Sequence, residues 1–218
     1  MPQTKADGEM PKIGETFASL GKNSKYASGV LAQVLYVGGQ IMCWTYIYQY
    51  AEGIGMDSVT AGYYQMAAFV LFTVGRAIGT YLLRFISSGK LLMYFAVLAM
   101  VFSLGTIFIQ GIFGLYCLVG ISFFMSLMFP TIYGIALGGL SEEQSKVGSA
   151  GLVMAIVGGA LMPKLQGIII DAGGNGVADT SIMGVSEVNF SFILPLLCFS
   201  FIAWYGFRVF KKYESSSS

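Results

Sequence analysis

Histidine is absent from the 218-residue chain, and charged residues make up only 11% of it. Without histidine, the chain lacks the side chain that most often binds transition metals and carries protons near neutral pH. Soluble domains contain about 25% charged residues. A chain with 56% hydrophobic residues and so few charges belongs among proteins that cross a membrane several times. Its net charge of +1 gives no indication of a nucleic acid as partner.

Cysteine is scarce, and the common catalytic motifs are missing. Cys43, Cys117 and Cys198 each lie in an apolar run, and no CxxC pair occurs, so we interpret them as small buried hydrophobic residues. The sequence contains no GxSxG, no HExxH and no phosphate-binding loop. These absences predict a protein that is not an enzyme and that holds no cofactor and no metal.

Carboxylates are missing from the interior of the apolar stretches. Glu52 and Asp171 stand at their outer edges. Transporters driven by protons or sodium usually keep an ionisable carboxylate in the membrane core, so the chain shows no proton carrier of its own. Residues 1–28 also lack the apolar segment of a signal peptide.

Six apolar stretches are each long enough to cross the bilayer as a helix. We predict an all-α membrane protein whose six transmembrane helices cover residues 28–51, 60–83, 90–109, 112–137, 148–170 and 189–210. They form one domain, 28–210, between a polar segment at 1–27 and a tail at 211–218. In the polar segment, the spacing of Ile13, Phe17 and Leu20 is compatible with a short helix on the membrane surface. A disordered segment is the alternative.

The lysines and arginines of the loops and ends all fall on one side of this topology: Lys5, Lys12, Lys22, Lys25, Arg84, Lys90, Lys146, Arg208, Lys211 and Lys212. The loops of the other side carry only acidic residues, namely Glu52, Asp57, Asp171, Asp179 and Glu187. Because cytoplasmic loops are enriched in lysine and arginine, we predict that both termini are cytoplasmic. The loop at 171–188 is then outside, and the protein lies in the cytoplasmic (inner) membrane.

A polar and aromatic stripe runs along the first predicted span. At about 100° per residue, an arc of about 120° contains Gln33, Tyr36, Gln40, Trp44 and Tyr48. An amide facing lipid finds no hydrogen-bond partner, so the stripe faces either a neighbouring helix or a water-filled cavity. Amides together with flat aromatic rings suit a sugar, which has hydroxyls at its edge and C–H groups on its face. The alternative is that the stripe only holds helices together.

The second span repeats this pattern, with Gln65, Phe69, Phe72 and Arg76 on one face. Arg76 lies about two turns from Arg84, the cytoplasmic end of the span. A charge at that depth costs at least about 2.5–3.5 kcal/mol, so it normally faces the protein interior or water and has a partner. Snorkelling to the lipid headgroups is the alternative.

The fourth span contains Pro130, which has no N–H to donate to Ser126 and therefore predicts a kink. We expect Tyr133, beside this kink, to line a transport pathway. The fifth span carries a face of small residues that lets another helix approach closely, at Gly151, Ala155 and Gly159.

Four ordered runs carry a resemblance to a known family: VLAQVLYVGGQIMCWTYIYQYA, TAGYYQMAAFVLFTVGRAIGT, FMSLMFPTIYGIALGGL and VGSAGLVMAIVGGALMPKLQGIIIDAGG. Together they resemble the C-terminal half of the fucose permease branch of the major facilitator superfamily. Members of this branch are sugar–proton symporters for fucose, glucose or galactose. The resemblance covers nearly the whole chain from about residue 28.

The resemblance implies a fold of twelve spans, built as two six-helix halves around a site at the middle of the membrane. Residues 1–27 would be the cytoplasmic linker between the halves. Gln33, Gln40, Trp44 and Tyr48 would form the cavity face of the first span, with Gln65 and Arg76 on its neighbour. The proton-coupling acids of the family lie in the N-terminal half, so the implied partners are a monosaccharide, the proton, the lipid bilayer and that missing half.

Three functions therefore remain open from the sequence. The first is the C-terminal half of a proton-coupled monosaccharide transporter, with the other half in the same or a separate polypeptide. The second is a six-span facilitator that pairs with its own copy, so that two first spans line one cavity. The third is a membrane subunit that binds sugar without transporting it.

Overall fold

The computed structural model describes residues 13–171 and 181–214. In this part of the chain, six helical spans are long and apolar enough to cross a membrane: Ser24–Gly53, Ser58–Leu82, Ser88–Phe108, Ile112–Leu137, Glu142–Ile170 and Glu187–Lys212. We refer to them as spans one to six. Lys5, Lys12 and residues 172–180 of the loop at 171–188, Asp179 among them, lie outside the described residues.

Some spans are continuous and others are interrupted. A short helix α1 (Ile13–Lys22) precedes span one, which consists of α2 (Ser24–Thr45) and α3 (Ile47–Gly53). Spans two and three are the single helices α4 (Ser58–Leu82) and α5 (Ser88–Phe108). Span four is divided into α6 (Ile112–Met125) and α7 (Met128–Leu137).

The last two spans are interrupted as well. Span five consists of α8 (Glu142–Met154), a 3₁₀ turn (Ala155–Val157) and α9 (Gly158–Ile170). A two-stranded antiparallel hairpin follows, with β1 (Ser181–Ile182) and β2 (Val185–Ser186). Span six begins with α10 (Glu187–Ser191) and continues as α11 (Ile193–Val209), which ends in a π-helical turn (Phe210–Glu214).

Polar capping residues move the starts of two spans outward from the apolar stretches. Span one begins at Ser24 rather than 28, because the Asn23 side chain accepts hydrogen bonds from the two N–H groups of Lys25 and Tyr26. Span five begins at Glu142 rather than 148, because Ser141 and Gln144 form a reciprocal capping box. These first turns are polar, so hydrophobicity alone does not mark them.

The kink predicted in the fourth span is confirmed. Helix α6 ends at Met125 and α7 begins at Met128, so the break precedes Pro130. The interruptions at Tyr46 and at Ala155–Val157 were not predicted, since neither has a proline at the break itself.

Small residues bring span five close to span one, as the pattern of the fifth span predicted. A Cβ atom added to Gly159 would lie 3.0 Å from Val37 and 3.1 Å from Ile41. Gly158 contributes too, because a side chain there would collide with the carbonyl group of Val34. The two helix backbones can therefore approach closely along this line.

Helix α1 is packed against the transmembrane helices. Leu20 is only 1% exposed and belongs to an apolar cluster with Tyr26, Ala136, Val147 and Leu152. The short helix expected from the spacing of Phe17 and Leu20 therefore exists, and its apolar side rests on the ends of spans one, four and five.

Apart from Arg76 and Lys164, which lie within spans two and five, the basic residues of the described chain gather at one end of the helices. Lys25 donates from Nζ to the carbonyl oxygen of Gly138 at 3.0 Å, and Arg208 donates from Nη2 to Ser24 Oγ at 2.7 Å. These contacts bring together the ends of spans one, four and six that carry lysine and arginine. The opposite end holds Glu52 and Asp57, as the alternation of loop charges predicted.

Spans two and five are the least covered by the rest of the unit. Their most apolar windows are only 17% and 22% buried, compared with 50% and 56% for spans one and four. A helix of this composition needs lipid or another protein segment around it. Spans two and five therefore have surface available for both.

Candidate functional site

Trp44 joins spans one, two and four. Its indole Nε1 donates a hydrogen bond of 3.2 Å to Ser122 Oγ on span four. Its ring meets two rings of span two edge to face, Phe69 at a centroid distance of 5.0 Å and Phe72 at 5.1 Å. We call Trp44, Phe69 and Phe72 the aromatic cluster. Edge-to-face packing of this kind fixes the orientation of the indole plane.

Arg76 extends this cluster toward the basic end of the molecule. Its Nε donates a hydrogen bond of 3.2 Å to the carbonyl oxygen of Ser126, at the break of span four. Its guanidinium carbon lies 5.0 Å from the centre of the Phe72 ring, within the range of a cation–π contact. The partner expected for this charge is thus a backbone carbonyl and an aromatic ring. Arg76 thus has a partner in the protein through Nε, while the residue itself is exposed.

Two glutamines lie one helical turn from members of the aromatic cluster. Gln40 precedes Trp44 by four residues, and Gln65 precedes Phe69 by four residues, so each pair shares a helix face. The Gln65 Oε1 atom is buried and accepts no hydrogen bond from the described residues. Gln40 is partly buried, and the described part of the chain offers its amide no hydrogen bond. Both amides are available to a ligand.

The tyrosines lie at the two ends of this region. Tyr48 is 37% exposed, and its hydroxyl lies 3.5 Å from the position of a Cβ atom on Gly62 of span two. Tyr133 lies beyond the break of span four, where it stacks on Phe129 at 6.4 Å with an interplanar angle of 12°. Tyr133 is therefore held by a different aromatic partner from the one that holds Trp44.

We use the term open face for the partly or fully exposed side chains of spans one and two around the aromatic cluster: Gln40, Trp44, Tyr48, Gln65, Phe69, Phe72 and Arg76. All seven were expected to lie on the stripes of the two spans. The arrangement combines ring faces, amides and one cation, and it contains no carboxylate.

Gln33 and Tyr36 belong to the same stripe but lie inside the six-helix unit. Gln33 has 0% exposed area, and neither its amide nitrogen nor its amide oxygen has a hydrogen-bond partner among the described residues. Tyr36 is also fully buried, and its hydroxyl donates to the carbonyl oxygen of Met125 at 3.0 Å. Gln33 is about 16 Å from Trp44 along the helix axis. Direct contact between Gln33 and a ligand requires a rearrangement, and this contact stays a prediction.

The side of span one opposite the stripe is covered unevenly. At about 100° per residue Leu31 and Met42 share this side, yet Met42 is 0% exposed while Leu31 is 47% exposed. Gly38, one turn before Met42, contacts Met162 of span five. Span five thus covers this side of α2, which the periodicity of a single helix does not reveal.

Sequence reasoning missed a second polar group, which we call the outer cluster. It consists of Tyr50, Asn189 and the carbonyl group of Thr106. Asn189 Nδ2 donates to the Tyr50 hydroxyl at 3.2 Å and to the Thr106 carbonyl oxygen at 2.9 Å. The only signal in the sequence was an asparagine at the start of an apolar stretch. The cluster ties together the outer ends of spans one, three and six.

Asp57 marks the outer start of span two. Its carboxylate accepts hydrogen bonds from the Thr60 hydroxyl at 2.6 Å and from the backbone N–H groups of Val59 and Thr60. These bonds, the Thr60 hydroxyl first among them, hold the pKa of Asp57 below its ordinary value. The carboxylate acts as a helix cap.

No protein-family model matches the chain. Among curated relatives, the L-fucose-proton symporter of Haemophilus influenzae is 54% identical over 192 residues, which are 88% of this chain and 43% of the relative. The L-fucose-proton symporter of Escherichia coli is 31% identical over 98% of this chain and 45% of the relative. A glucose/galactose transporter of Brucella abortus is 30% identical over 82% of this chain and 40% of the relative. The chain thus spans less than half the length of these curated relatives.

Two solved structures share the fold. The Escherichia coli fucose:proton symporter FucP matches with a TM-score of 0.81 and 31% identity, over 93% of this chain and 47% of that chain. A structure of the major facilitator superfamily transporter FucP in the outward conformation matches with a TM-score of 0.80 and 30% identity, over 95% and 49%. About half of each solved chain is therefore the counterpart of this one.

Six membrane-spanning helices that superpose on half of such a transporter define the class: the chain is one six-helix half of the major facilitator fold. Within this superfamily the chain belongs to the fucose permease branch, and it corresponds to the C-terminal half. The resemblance seen in the four sequence runs is confirmed.

Proposed function

We propose that the chain supplies the C-terminal half of a secondary active transporter that takes up a monosaccharide of the fucose, glucose or galactose type together with a proton. The observation that carries this proposal is the open face, where the oriented indole of Trp44 lies near the amides of Gln40 and Gln65, for which the described residues provide no hydrogen-bond partner. Curated relatives named as fucose-proton symporters and glucose/galactose transporters support the same substrate class.

The residues of the open face suit the two chemical surfaces of a sugar. The indole of Trp44 offers an apolar plane for the C–H face of the ring, and its orientation is fixed by Phe69 and Phe72. The amides of Gln40 and Gln65 can each donate and accept hydrogen bonds at the hydroxyl edge. Because binding sites combine apolar walls with a few oriented polar groups, this set forms one side of a monosaccharide site.

Further predicted contacts lie around this core of the site. Tyr48 adds a hydroxyl toward the outer end. The Nε group of Arg76 donates to the carbonyl oxygen of Ser126, so its Nη groups can donate to a sugar in the cavity. Tyr133 adds a phenol beyond the break of span four. We include Gln33 as a contact of a second conformation, since no described residue pairs with its buried amide in this one.

The proton carrier comes from the other half of the transporter. The described acids of the six spans and their loops all sit at span ends: Glu52, Asp57, Glu142, Glu143, Asp171 and Glu187. A coupled transporter needs an ionisable group within the membrane. The missing N-terminal half, in the same or a separate polypeptide, is therefore an obligatory partner, and the sparsely covered spans two and five offer it a surface.

The charge distribution sets the orientation that we propose. The basic end faces the cytoplasm, so the linker segment 1–27 and the tail 211–218 are cytoplasmic, and the domain 28–210 crosses the inner membrane six times. Attaching an impermeant thiol reagent at Asn175→Cys in whole cells tests this orientation. Labelling only after lysis would contradict it.

The transport proposal is tested by restoring the missing half. The N-terminal half of the Haemophilus influenzae relative is joined to this chain, and uptake of labelled L-fucose, glucose and galactose is followed in vesicles with an imposed proton gradient. We expect uphill uptake of at least one of these sugars by the joined protein and none by this chain alone. A Leu31→Ala variant, altered on an exposed part of span one, serves as the matched control.

The other outcomes each contradict the proposal. Uphill uptake by this chain alone would place the proton carrier in it. Sugar flux through a homodimer without a gradient would identify a facilitator. Sugar binding by the joined protein without any flux would identify a sugar-binding subunit.

A further inference from the structure

At the break in span four, the backbone carbonyl groups of Met125 and Ser126 lack their usual helical donors. Pro130 has no N–H, so the carbonyl oxygen of Ser126 lacks the donor that a continuous helix would provide. Met125 is the last residue of α6, so its carbonyl group also points beyond the bonds of that helix. Within a membrane no water replaces such donors. Each carbonyl therefore needs a partner from the protein.

Side chains of two neighbouring spans provide these partners. The Tyr36 hydroxyl of span one donates to the Met125 carbonyl oxygen at 3.0 Å, and Arg76 Nε of span two donates to the Ser126 carbonyl oxygen at 3.2 Å. The hydroxyl group of Ser126 itself donates back to the carbonyl oxygen of Phe123 at 2.7 Å. Arg76 is thus the side chain that donates a hydrogen bond to the carbonyl group for which Pro130 provides no N–H.

Span two is shaped to bring Arg76 to this point. A Cβ atom on Gly75 would lie 2.8 Å from Ser126 Oγ, and one on Gly79 would lie 3.0 Å from the side chain of Leu127. Glycine on either side of Arg76 therefore allows the helix to lie directly against the break. Phe72, one turn earlier, holds the guanidinium group from the other side at 5.0 Å.

We propose that Arg76 is a positioning residue that replaces the missing N–H of Pro130 and so fixes the geometry of the break in span four. The same guanidinium group touches Phe72, whose ring packs on Trp44. The break and the indole of the open face are thereby joined through one side chain. Only the transport readout of this inference rests on the proposed function.

A double-mutant cycle tests the proposed relation between the two residues. Arg76→Met removes the donor, and Pro130→Ala restores a backbone N–H for the Ser126 carbonyl group. A hydrogen bond from a charged group is among the stronger ones, so Arg76→Met should lower the melting temperature of the chain by roughly 3–10 °C. In the Pro130→Ala background, Arg76→Met should lower the melting temperature by less than about half of that amount. The carbonyl group of Ser126 then has a backbone donor of its own.

Two further variants keep the result interpretable. Pro130→Ser also restores the N–H and is used in the same cycle if Pro130→Ala does not fold. Val74→Ala, on an exposed part of span two, should have the same small effect in both backgrounds. Equal effects of Arg76→Met with and without Pro130 would overturn the proposal.

A transport readout separates positioning from a merely structural role. In the transporter with its N-terminal half restored, Arg76→Met should lower the maximal sugar exchange rate at least tenfold. Adding Pro130→Ala to this variant should raise the rate again at least threefold. An increase in KM that persists in both backgrounds reports the direct sugar contact of the proposed function. Absence of transport in every variant would count against the proposed function, while the melting cycle would still decide this inference. A rate that Pro130→Ala leaves unchanged would overturn it.

Discussion

The outer cluster and the open face are both polar regions within a largely apolar molecule, but they differ in how completely their hydrogen bonds are satisfied. In the outer cluster, Asn189 donates twice from Nδ2, and its Oδ1 accepts from the Ser186 hydroxyl at 2.7 Å. The Tyr50 hydroxyl lies 3.2 Å from the carbonyl oxygen of Ile109 and 3.3 Å from that of Gly111. Every polar group of these two side chains has a partner.

The open face keeps unused hydrogen-bonding groups. Gln65 Oε1 is buried without a partner among the described residues, although buried polar groups in proteins are almost always paired. A satisfied network rigidifies the fold, whereas an unsatisfied group indicates a missing ligand, water or conformational change. The comparison therefore supports a structural role for the outer cluster and the proposed binding role of the open face.

The largest effect on stability is expected in the outer cluster. Asn189→Leu removes two donated bonds and leaves the Tyr50 hydroxyl and the Thr106 carbonyl group with one partner fewer. We expect a loss of about 2–4 kcal/mol in the free energy of unfolding, measured by denaturation of the chain in detergent. Sugar affinity of the folded fraction should not change. A loss of affinity with unchanged stability would reverse the roles of the two regions.

The largest effect on sugar affinity is expected at Trp44. Trp44→Ala removes both the apolar plane and its fixed orientation, so we expect a loss of roughly 2–3 kcal/mol, or about 30- to 150-fold in Kd. Trp44→Phe keeps an apolar ring and should therefore lose less sugar affinity than Trp44→Ala. Binding isotherms of the transporter with its N-terminal half restored measure the effect, with Leu31→Ala as the control. Equal affinities for Trp44→Ala and Leu31→Ala would show that the indole only packs.

Replacing the glutamines should have a smaller effect on sugar affinity than replacing Trp44. Unlike Asn189→Leu, these changes should not destabilise the fold. Gln40→Ala and Gln65→Leu should each weaken sugar binding by up to about tenfold, because each removes one ligand hydrogen bond. Gln65→Leu should leave the melting temperature unchanged or raise it, since the buried amide oxygen has no partner to lose among residues 13–171 and 181–214. If Gln40→Ala instead lowers the melting temperature and leaves affinity intact, this glutamine holds span one to its neighbours.

The smallest effect is expected at Asp57, an exposed cap outside both regions. Its pKa is lowered in the folded protein, so its stabilising contribution is present above the unfolded pKa of about 3.9 and is lost as pH falls below it. The melting temperatures of the parent and of Asp57→Asn should therefore converge on acidification from pH 6 to pH 3. A constant difference over this range would show that the carboxylate charge has no part in capping.

Periodicity and composition were sufficient for the features that a single helix determines. The six spans, the kink caused by Pro130, and the shared face of Gln40 with Trp44 and of Gln65 with Arg76 follow from spacing and from proline chemistry. Met42 and Gln33 were less predictable, because their burial depends on which neighbours cover α2.

The outer cluster could not be predicted at all, since its bonds join residues far apart in the chain. Asn189 lies 139 residues from Tyr50 and 83 residues from Thr106. The bond from Arg76 to Ser126 spans 50 residues in the same way. The sequence indicated that the arginine needs a partner, but the identity of that partner depends on how spans two and four pack.

The most direct test of the open face as a sugar site is protection of an introduced cysteine. Gln65→Cys and Val74→Cys, on two sides of span two, are placed in the transporter with its N-terminal half restored and with Cys117 replaced by serine. The rate of alkylation by a small thiol reagent is measured with and without saturating sugar. We predict that sugar slows alkylation at position 65 at least fivefold and leaves position 74 unchanged. An equal rate at position 65 with and without sugar, in a protein that still transports it, would contradict the assignment of the open face.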